Sequence, residues 1–314
     1  MFEVDVVIVT FNRLMMLKDL LCSIESQSIL PNKVIIYDDI STDGTARFLG
    51  SYTGKLNLCI LLGESKSKNV AVSRNKCLNL VDSRYVIIMD DDDLMPPDKI
   101  EKVIESFKLS RSQMLSGDMV TFNEKLMCEN FSQPILSDKP CKLNKSLFYG
   151  LNPLKWPTIS FETSALKEVG GFDERFTMIT DWTVYLRIME KFECWYYPII
   201  SGYYRVHSNN MSTNLPALIS DLEIFTNDSL GKKYGVSSYL MISKYIYYAS
   251  QVSIFKALAV IWNYKYTDIS YKRKIKLTLI ALSGCYKYLS SLRSGKWRKL
   301  GSKDPRILKI LLRV

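Results

Sequence analysis

The chain has 314 residues, 47% of them hydrophobic and 24% charged, which suits one large α/β domain or a domain with a helical appendage. No run of about 18 uncharged apolar residues occurs, so no membrane-spanning helix is expected. Seven cysteines (Cys22, Cys59, Cys77, Cys128, Cys141, Cys194, Cys285) without C-x-x-C spacing argue against a disulfide frame or a thiolate zinc site, and predict reduced thiols in a cytosolic protein.

The net charge of +10 divides sharply along the chain. Residues 232–314 hold 18 Lys/Arg against only Asp268 and Asp304, a balance of +16, while residues 1–231 hold 24 Lys/Arg and 30 Asp/Glu. A mildly acidic body therefore carries a strongly basic tail.

Met1 runs directly into a β-branched strand at 5–10, without the basic start and cleavage site of a secretion signal. Leu17, Leu20, Leu21 and Ile24 then recur at helical spacing. A second strand at 34–37 stops at Asp38-Asp39 and the turn-forming Ser41-Thr42-Asp43-Gly44. A third strand is expected at 56–62, a helix at 70–80, a fourth strand at 85–89, and a helix started by Pro96-Pro97. This alternation predicts a mostly parallel sheet with helices on both faces. Residues 123–150 show no clear period and read as a connecting or acceptor-facing segment. A second block spans 156–207, with a break at Gly170-Gly171 and a helix over 182–191, and beyond 215 the pattern turns helical.

Asp90 to Asp93, four consecutive aspartates at the carboxyl end of an apolar strand, carry the strongest chemical signal. Ligands of open α/β sheets bind at such strand ends. Crowded carboxylates repel unless a cation offsets them, and a hard divalent ion with oxygen ligands and substrate phosphates suits Mg²⁺ or Mn²⁺. The plainer alternative is a solvated acidic loop ahead of the next helix.

Seven short pieces stand in order around this cluster: Val9-Thr10-Phe11-Asn12-Arg13, Tyr37-Asp38-Asp39 with Ser41-Thr42-Asp43-Gly44-Thr45, Ser73-Arg74-Asn75, Met89-Asp90-Asp91-Asp92-Asp93, Gly170-Gly171-Phe172-Asp173-Glu174, Asp181-Trp182, and Tyr204-Arg205-Val206-His207. In this series, over about residues 4–210, the chain resembles a family 2 glycosyltransferase of the inverting GT-A type. The resemblance implies that Thr10, Asn12 and Arg13 lie along a nucleotide and that Asp39 accepts a hydrogen bond from its base, as the N–H of uracil would give. It puts Arg74 near the base and diphosphate, and Asp90 and Asp91 with the donor-contacting residues. Asp92 binds the metal, Mn²⁺ or Mg²⁺, with His207 approaching it. Asp181 falls at the place of the catalytic base. Taken singly, Asn12 is equally a helix cap, Asp39 and Asp43 turn residues, Arg74 a surface arginine, Asp181 an N-cap and His207 a structural histidine.

The chain departs from the family in Lys68-Asn69-Val70-Ala71, where glycine-rich sequence is common, and in Thr180-Asp181, where an acidic pair is usual. The expected organisation is a glycosyltransferase domain at 1–214, with a nucleotide-sugar-binding half at 1–122 and an acceptor half at 123–214, followed by a helical basic region at 215–314. Aromatic and basic residues at 239–266, 271–276, 297–299 and 307–313 predict peripheral docking on the inner, anionic face of the cell membrane. A lipid-linked or glycan acceptor in bacterial surface polysaccharide synthesis would suit such docking. Two rivals are weighed. A nucleic-acid-binding protein leaves the aspartates unexplained, since they repel phosphate, and no nucleic-acid partner is expected. A nucleotidyltransferase would call for a glycine-rich, basic stretch after the first strand, where Thr10-Phe11-Asn12-Arg13 stands.

Overall fold

The computed structural model describes residues 3–123, 128–131, 136–144 and 154–207, with isolated positions between 217 and 282. The chain divides into two compact units, Met1–Leu147 with Asn152–Ile224, and Phe148–Leu151 with Phe225–Val314. Apart from a few single positions, the second unit lies outside the described residues, and with it the basic stretches at 239–266, 271–276, 297–299 and 307–313. No helix among the described residues is long and apolar enough to cross a membrane.

In the first unit, strands β1 (Val4–Thr10), β2 (Lys33–Asp38), β3 (Leu58–Leu62) and β4 (Tyr85–Asp90) alternate with helices α1 (Leu14–Glu25), α2 (Thr45–Gly50) and α3 (Val70–Leu78), and α4 (Lys99–Ser110) follows. The four strands pair in parallel in the order β3-β2-β1-β4. Side chains alternate across a strand. Val4, Val6 and Ile8 of β1 therefore join Leu17, Leu20, Leu21 and Ile24 of α1, and Ile100, Val103 and Phe107 of α4, in one buried cluster. Val7 and Ile35 face the opposite way, where α3 packs on β1 and β2.

The sheet then continues through strands whose pattern the sequence does not display. They are β5 (Met114–Asn123), β6 (Cys128–Phe131), β7 (Cys141–Lys142), β8 (Ser160–Glu162) and β9 (Cys194–Val206). The order is β3-β2-β1-β4-β8-β5-β9-β7, with β6 on β5. Here β8 is antiparallel to both β4 and β5, while β5 and β9 run parallel with two register shifts. The aperiodic stretch at 123–150 thus contributes two short strands, and its remainder lies partly outside the described residues. Helices α5 (Thr163–Glu168) and α6 (Thr180–Lys191) complete the unit. Helix α6 starts two residues before the expected 182, which places Asp181 inside its first turn. The N-cap position belongs to Ile179, which makes no side-chain cap.

Among the described residues Cys22, Cys59, Cys77, Cys141 and Cys194 are free thiols.

Candidate active site

The register of the parallel strands builds the site. Val9 sits opposite Asp90 across β1 and β4, so the residues that leave both strands meet at their carboxyl ends. Thr10 donates its hydroxyl to Asp91 Oδ2 at 2.8 Å. Arg13 Nη1 lies 2.7 Å from Asp91 Oδ1 and 2.7 Å from Asp92 Oδ2, and His207 Nε2 lies 3.0 Å from that same Asp92 oxygen. Arg74, buried on α3, reaches Asp90 Oδ1 at 2.6 Å and donates to Thr180 Oγ1 at 3.1 Å, with its guanidinium 4.3 Å from the Trp156 ring centre. Five sequence-selected residues, Thr10, Arg13, Asp91, Asp92 and His207, therefore converge directly. Asp90 joins them through the acidic run, and Arg74 joins through Asp90.

Asn12 and Asp39 bond to the loops beside this cluster. Asn12 adopts a left-handed backbone, φ 52°, which asparagine tolerates better than most residues. Its side-chain oxygen accepts from the Thr42 N–H at 2.7 Å, while Asp43 Oδ2 accepts from the Leu14 N–H at 2.9 Å. Asn12 is therefore no cap for α1. Asp43 supplies that acceptor from across the gap, and the loops after β1 and β2 are stitched together. Asp39, almost fully buried after β2, accepts from the Ser67 N–H and pairs with Lys66 Nζ, both at 2.8 Å. Lys66 in turn lies 2.9 Å from the centre of the half-exposed Phe11 ring. Burial would raise the Asp39 pKa, but the Lys66 and Ser67 bonds outweigh it and hold the carboxylate below its ordinary range.

The acidic run is the reverse case. Burial pushes Asp91 up to about 6 despite Arg13, and pushes Asp93 well above the usual carboxylate range with Asp92 and Asp90 adding to it. Asp90 is raised by burial against the pull of Arg74. Asp90, Asp92 and Asp93 each offer an oxygen within 4.8 Å of the others. Asp93 Oδ2 is buried and makes no hydrogen bond among the described residues. A crowded set of hard oxygen donors with an orphaned carboxylate oxygen fits a divalent cation of the Mg²⁺ or Mn²⁺ class.

Two groups that the sequence did not single out hold this arrangement. Arg205, in the Tyr-Arg-Val-His motif, donates its backbone N–H to Asp93 Oδ1 at 2.9 Å and its Nε to the Asp92 carbonyl at 2.7 Å, and reaches Asp19 on α1 at 2.9 Å. Lys99, wholly buried at the start of α4, donates to the Pro157 carbonyl at 2.6 Å. Burial depresses its ammonium to about 7 against the opposing pull of Asp93.

Asp181 stands half-buried in the first turn of α6. Burial raises it to about 6, opposed by the Trp182 N–H and by Arg74 and reinforced by Asp90. A carboxylate with such a pKa is largely ionised at neutral pH and can accept a proton.

The sequence profile of glycosyl transferase family 2 matches residues 5–166, a little over half of the chain. The chain belongs to glycosyl transferase family 2. Among family 2 relatives, the putative teichuronic acid biosynthesis glycosyltransferase TuaG of Bacillus subtilis is 35% identical over 109 residues, 35% of this chain and 43% of TuaG. The chain thus spans less than half the length of that relative. The glucosyltransferase WfaP of Escherichia coli, named for UDP-Glc and an α-D-GlcNAc-diphosphoundecaprenol acceptor, is 25% identical over 227 residues, 71% of this chain and 83% of WfaP. Among solved structures, Staphylococcus aureus TarS 1-349 in complex with UDP-GlcNAc superposes with a TM-score of 0.61 at 16% identity, covering 96% of this chain and 95% of that one. That likeness establishes the GT-A fold.

Proposed function

We propose that this family 2 chain is an inverting, metal-dependent glycosyltransferase that takes a sugar from a UDP-sugar and passes it to a glycan or lipid-linked acceptor in bacterial surface polysaccharide synthesis. The observation that carries the reading is the convergence of Asp90, Asp92 and Asp93 with Arg13, Arg74 and His207 at the carboxyl ends of β1 and β4. An anionic cluster interleaved with fixed cations suits a metal–diphosphate pair. A nucleic-acid-binding protein leaves it unexplained, and a nucleotidyltransferase, which also sets carboxylates and metal on an α/β sheet, is disfavoured by Thr10-Phe11-Asn12-Arg13 after the first strand. The UDP-Glc and lipid diphosphate in the name of WfaP, and the UDP-GlcNAc complex of TarS, support the donor and acceptor classes.

In this reading Asp92 holds the cation together with its neighbouring carboxylates and His207. A cation held there would supply Lewis-acid stabilisation to the departing diphosphate. Arg13 and Arg74 carry positive charge to the same edge, where leaving-group charge develops. Asp181 removes the proton of the acceptor hydroxyl as that oxygen attacks the anomeric carbon opposite the diphosphate. The direct test offers a set of nucleotide-sugars with Mn²⁺ and follows nucleotide diphosphate release, and NMR then assigns the product's anomeric configuration. Release from a UDP-sugar with inversion is expected. Retention, or pyrophosphate release from a nucleoside triphosphate instead, would overturn the reading.

Nucleotide choice rests on Asp39. Uracil presents a ring N–H between two carbonyls, complementary to a carboxylate with the Lys66 ammonium beside it, whereas cytosine presents a lone pair at that ring position. A hydrogen bond to a charged group contributes about 1.5–3 kcal/mol, so UDP should bind about tenfold or more tighter than CDP. Thymidine diphosphate shares the uracil edge and is expected to compete. Calorimetry in which GDP or CDP is the preferred ligand would refute the assignment.

The basic tail is proposed to dock the enzyme on an anionic membrane surface. Its balance of +16 over residues 232–314 should give partitioning to anionic vesicles that is released by salt, because surface attraction is screened beyond a Debye length of about 8 Å at physiological ionic strength. Equal partitioning to neutral and anionic vesicles in a flotation assay would remove the electrostatic account.

A further inference from the structure

The segment that delivers Asp181 is tied down at both ends by side chains from elsewhere in the chain. Its front is held by α3. Gly171 takes a left-handed backbone, φ 64°, and a Cβ there would come within 2.6 Å of Asn75 Oδ1. The same Asn75 side chain accepts from the Phe172 N–H and donates to the Phe172 carbonyl, both at 2.8 Å, and Asn69 donates to the Glu174 carbonyl at 2.9 Å. At the far end, the side chain of Ile179, the N-cap of α6, accepts no hydrogen bond from the helix.

Asp221 instead holds the turn that leads into this helix start, from 42 to 44 residues away. Its Oδ2 accepts the backbone N–H groups of Thr177, Met178 and Ile179 at 2.8, 2.5 and 3.1 Å. The side chain is almost completely buried, 2% exposed. Three converging N–H groups form a concave anion seat. Charge-assisted bonds are about twice as strong as neutral ones, and negative charge is favoured near a helix amino terminus. A carboxylate oxygen shared by three consecutive peptide N–H groups fixes their orientation. The next two residues are Thr180, which accepts from Arg74, and Asp181.

We propose that Asp221 is a positioning residue for sugar transfer. By locking the Thr177–Ile179 turn it sets where α6 begins, and so where Asp181 meets the acceptor hydroxyl. The inference rests on Asp181 being the base. Displacing a catalytic group by about 1 Å can cost about 10²-fold, whereas Asp39, the proposed nucleobase contact, is held by Ser67 and Lys66 from another segment.

The test uses the full chain with Asp221→Asn and Asp221→Ala. Asn keeps an oxygen acceptor and the shape but loses the charge, so it reports even where Ala fails to fold. Transfer kcat should fall about 10-fold in Asn and about 100-fold in Ala. Donor KM and calorimetric UDP affinity should stay within about threefold of the parent. A double-mutant cycle supplies the readout that a merely structural role would not move. Added to Asp181→Asn, Asp221→Asn should lower the residual rate by less than about twofold, since residues that act through one group are not additive. Wild-type kcat in Asp221→Asn, or the same fall in both backgrounds, would overturn the proposal. If Asp181→Asn is impaired and Asp221→Asn is not, the base assignment stands and only the positioning role is lost. If Asp181→Asn transfers normally, the base assignment itself has failed.

Discussion

Replacing Asp181 with asparagine should lower sugar transfer by about 10²–10⁴-fold, the usual cost of losing a general base, while UDP affinity and folding stay near those of the parent. The structure separates this outcome from a capping effect. Asp181 lies inside the first turn of α6, the N-cap is Ile179, and the N–H groups just ahead are held by Asp221. Asparagine at 181 keeps a side-chain oxygen for the Trp182 N–H and leaves the Asp221 bonds untouched. The sign of the stability effect follows from the pKa. Burial raises the folded carboxylate to about 6, above an unfolded value of about 3.9, so its ionised form costs stability at pH above 6. That cost fades as pH falls through 6 toward 4. Asp181→Asn should accordingly melt no lower than the parent at pH 7.5. The same value fixes the rate profile: kcat should climb with pH through about 6 and level off above 7, with Asp181→Asn lacking that limb. A variant that transfers at the parental rate, or a parental profile flat between pH 5 and 7.5, would exclude Asp181 as the base.

The first half of the fold was legible because its signals are local. A β-branched run ending in polar residues marks β1, β2 and β4, and the period at Leu17, Leu20, Leu21 and Ile24 marks α1. The acidic run was visible for the same reason, since four aspartates after an apolar strand conflict with packing unless a charge offsets them. In the second half the break at Gly170-Gly171 and the helix over 182–191 were legible, but the strands were not. β8 has three residues and inserts antiparallel between β4 and β5, and β9 pairs in parallel with β5 through two register shifts. Such pairings depend on partners far along the chain, and no short window encodes them. The site divides in the same way. The order of motifs led to Arg13, Asp92 and His207, which the structure brings together. Arg74 was expected near base and diphosphate; the structure places it between Asp90 and Thr180 over Trp156. Lys66 and Asp221 gave no sequence signal, because each acts on a carboxylate or on peptide groups far away along the chain. Arg205 sat inside a quoted motif, yet its bonds to the Asp92 carbonyl and Asp93 become evident only once β9 lies beside the acidic run.

Removing divalent metal with excess EDTA, or replacing Asp92 with alanine, should abolish transfer to about 10⁻³ of the parental rate or lower. Lewis-acid stabilisation of a departing diphosphate is worth several kcal/mol, and each 1.36 kcal/mol is about tenfold in rate. Asp92 is singled out by geometry. Its Oδ2 faces both Arg13 and His207, its backbone carbonyl is held by Arg205, and it belongs to the carboxylate set whose oxygens lie within 4.8 Å of one another. A rate measurement alone would not separate metal binding from collapse of the loop, so binding is read independently. A ligand that binds only the folded state stabilises it by RT ln(1 + [L]/Kd). Mn²⁺ with UDP should therefore raise the melting temperature of the parent, and calorimetry should show one Mn²⁺ per chain. Asp92→Ala should lose both responses while still unfolding cooperatively. Asp19→Asn makes a useful contrast. It loses the ion pair with Arg205 at the half-exposed outer end of that clamp but keeps every carboxylate of the cluster, so its Mn²⁺ response should persist. Full turnover in EDTA, or an undiminished Mn²⁺ response in Asp92→Ala, would show that the acidic run serves the fold without holding a cation.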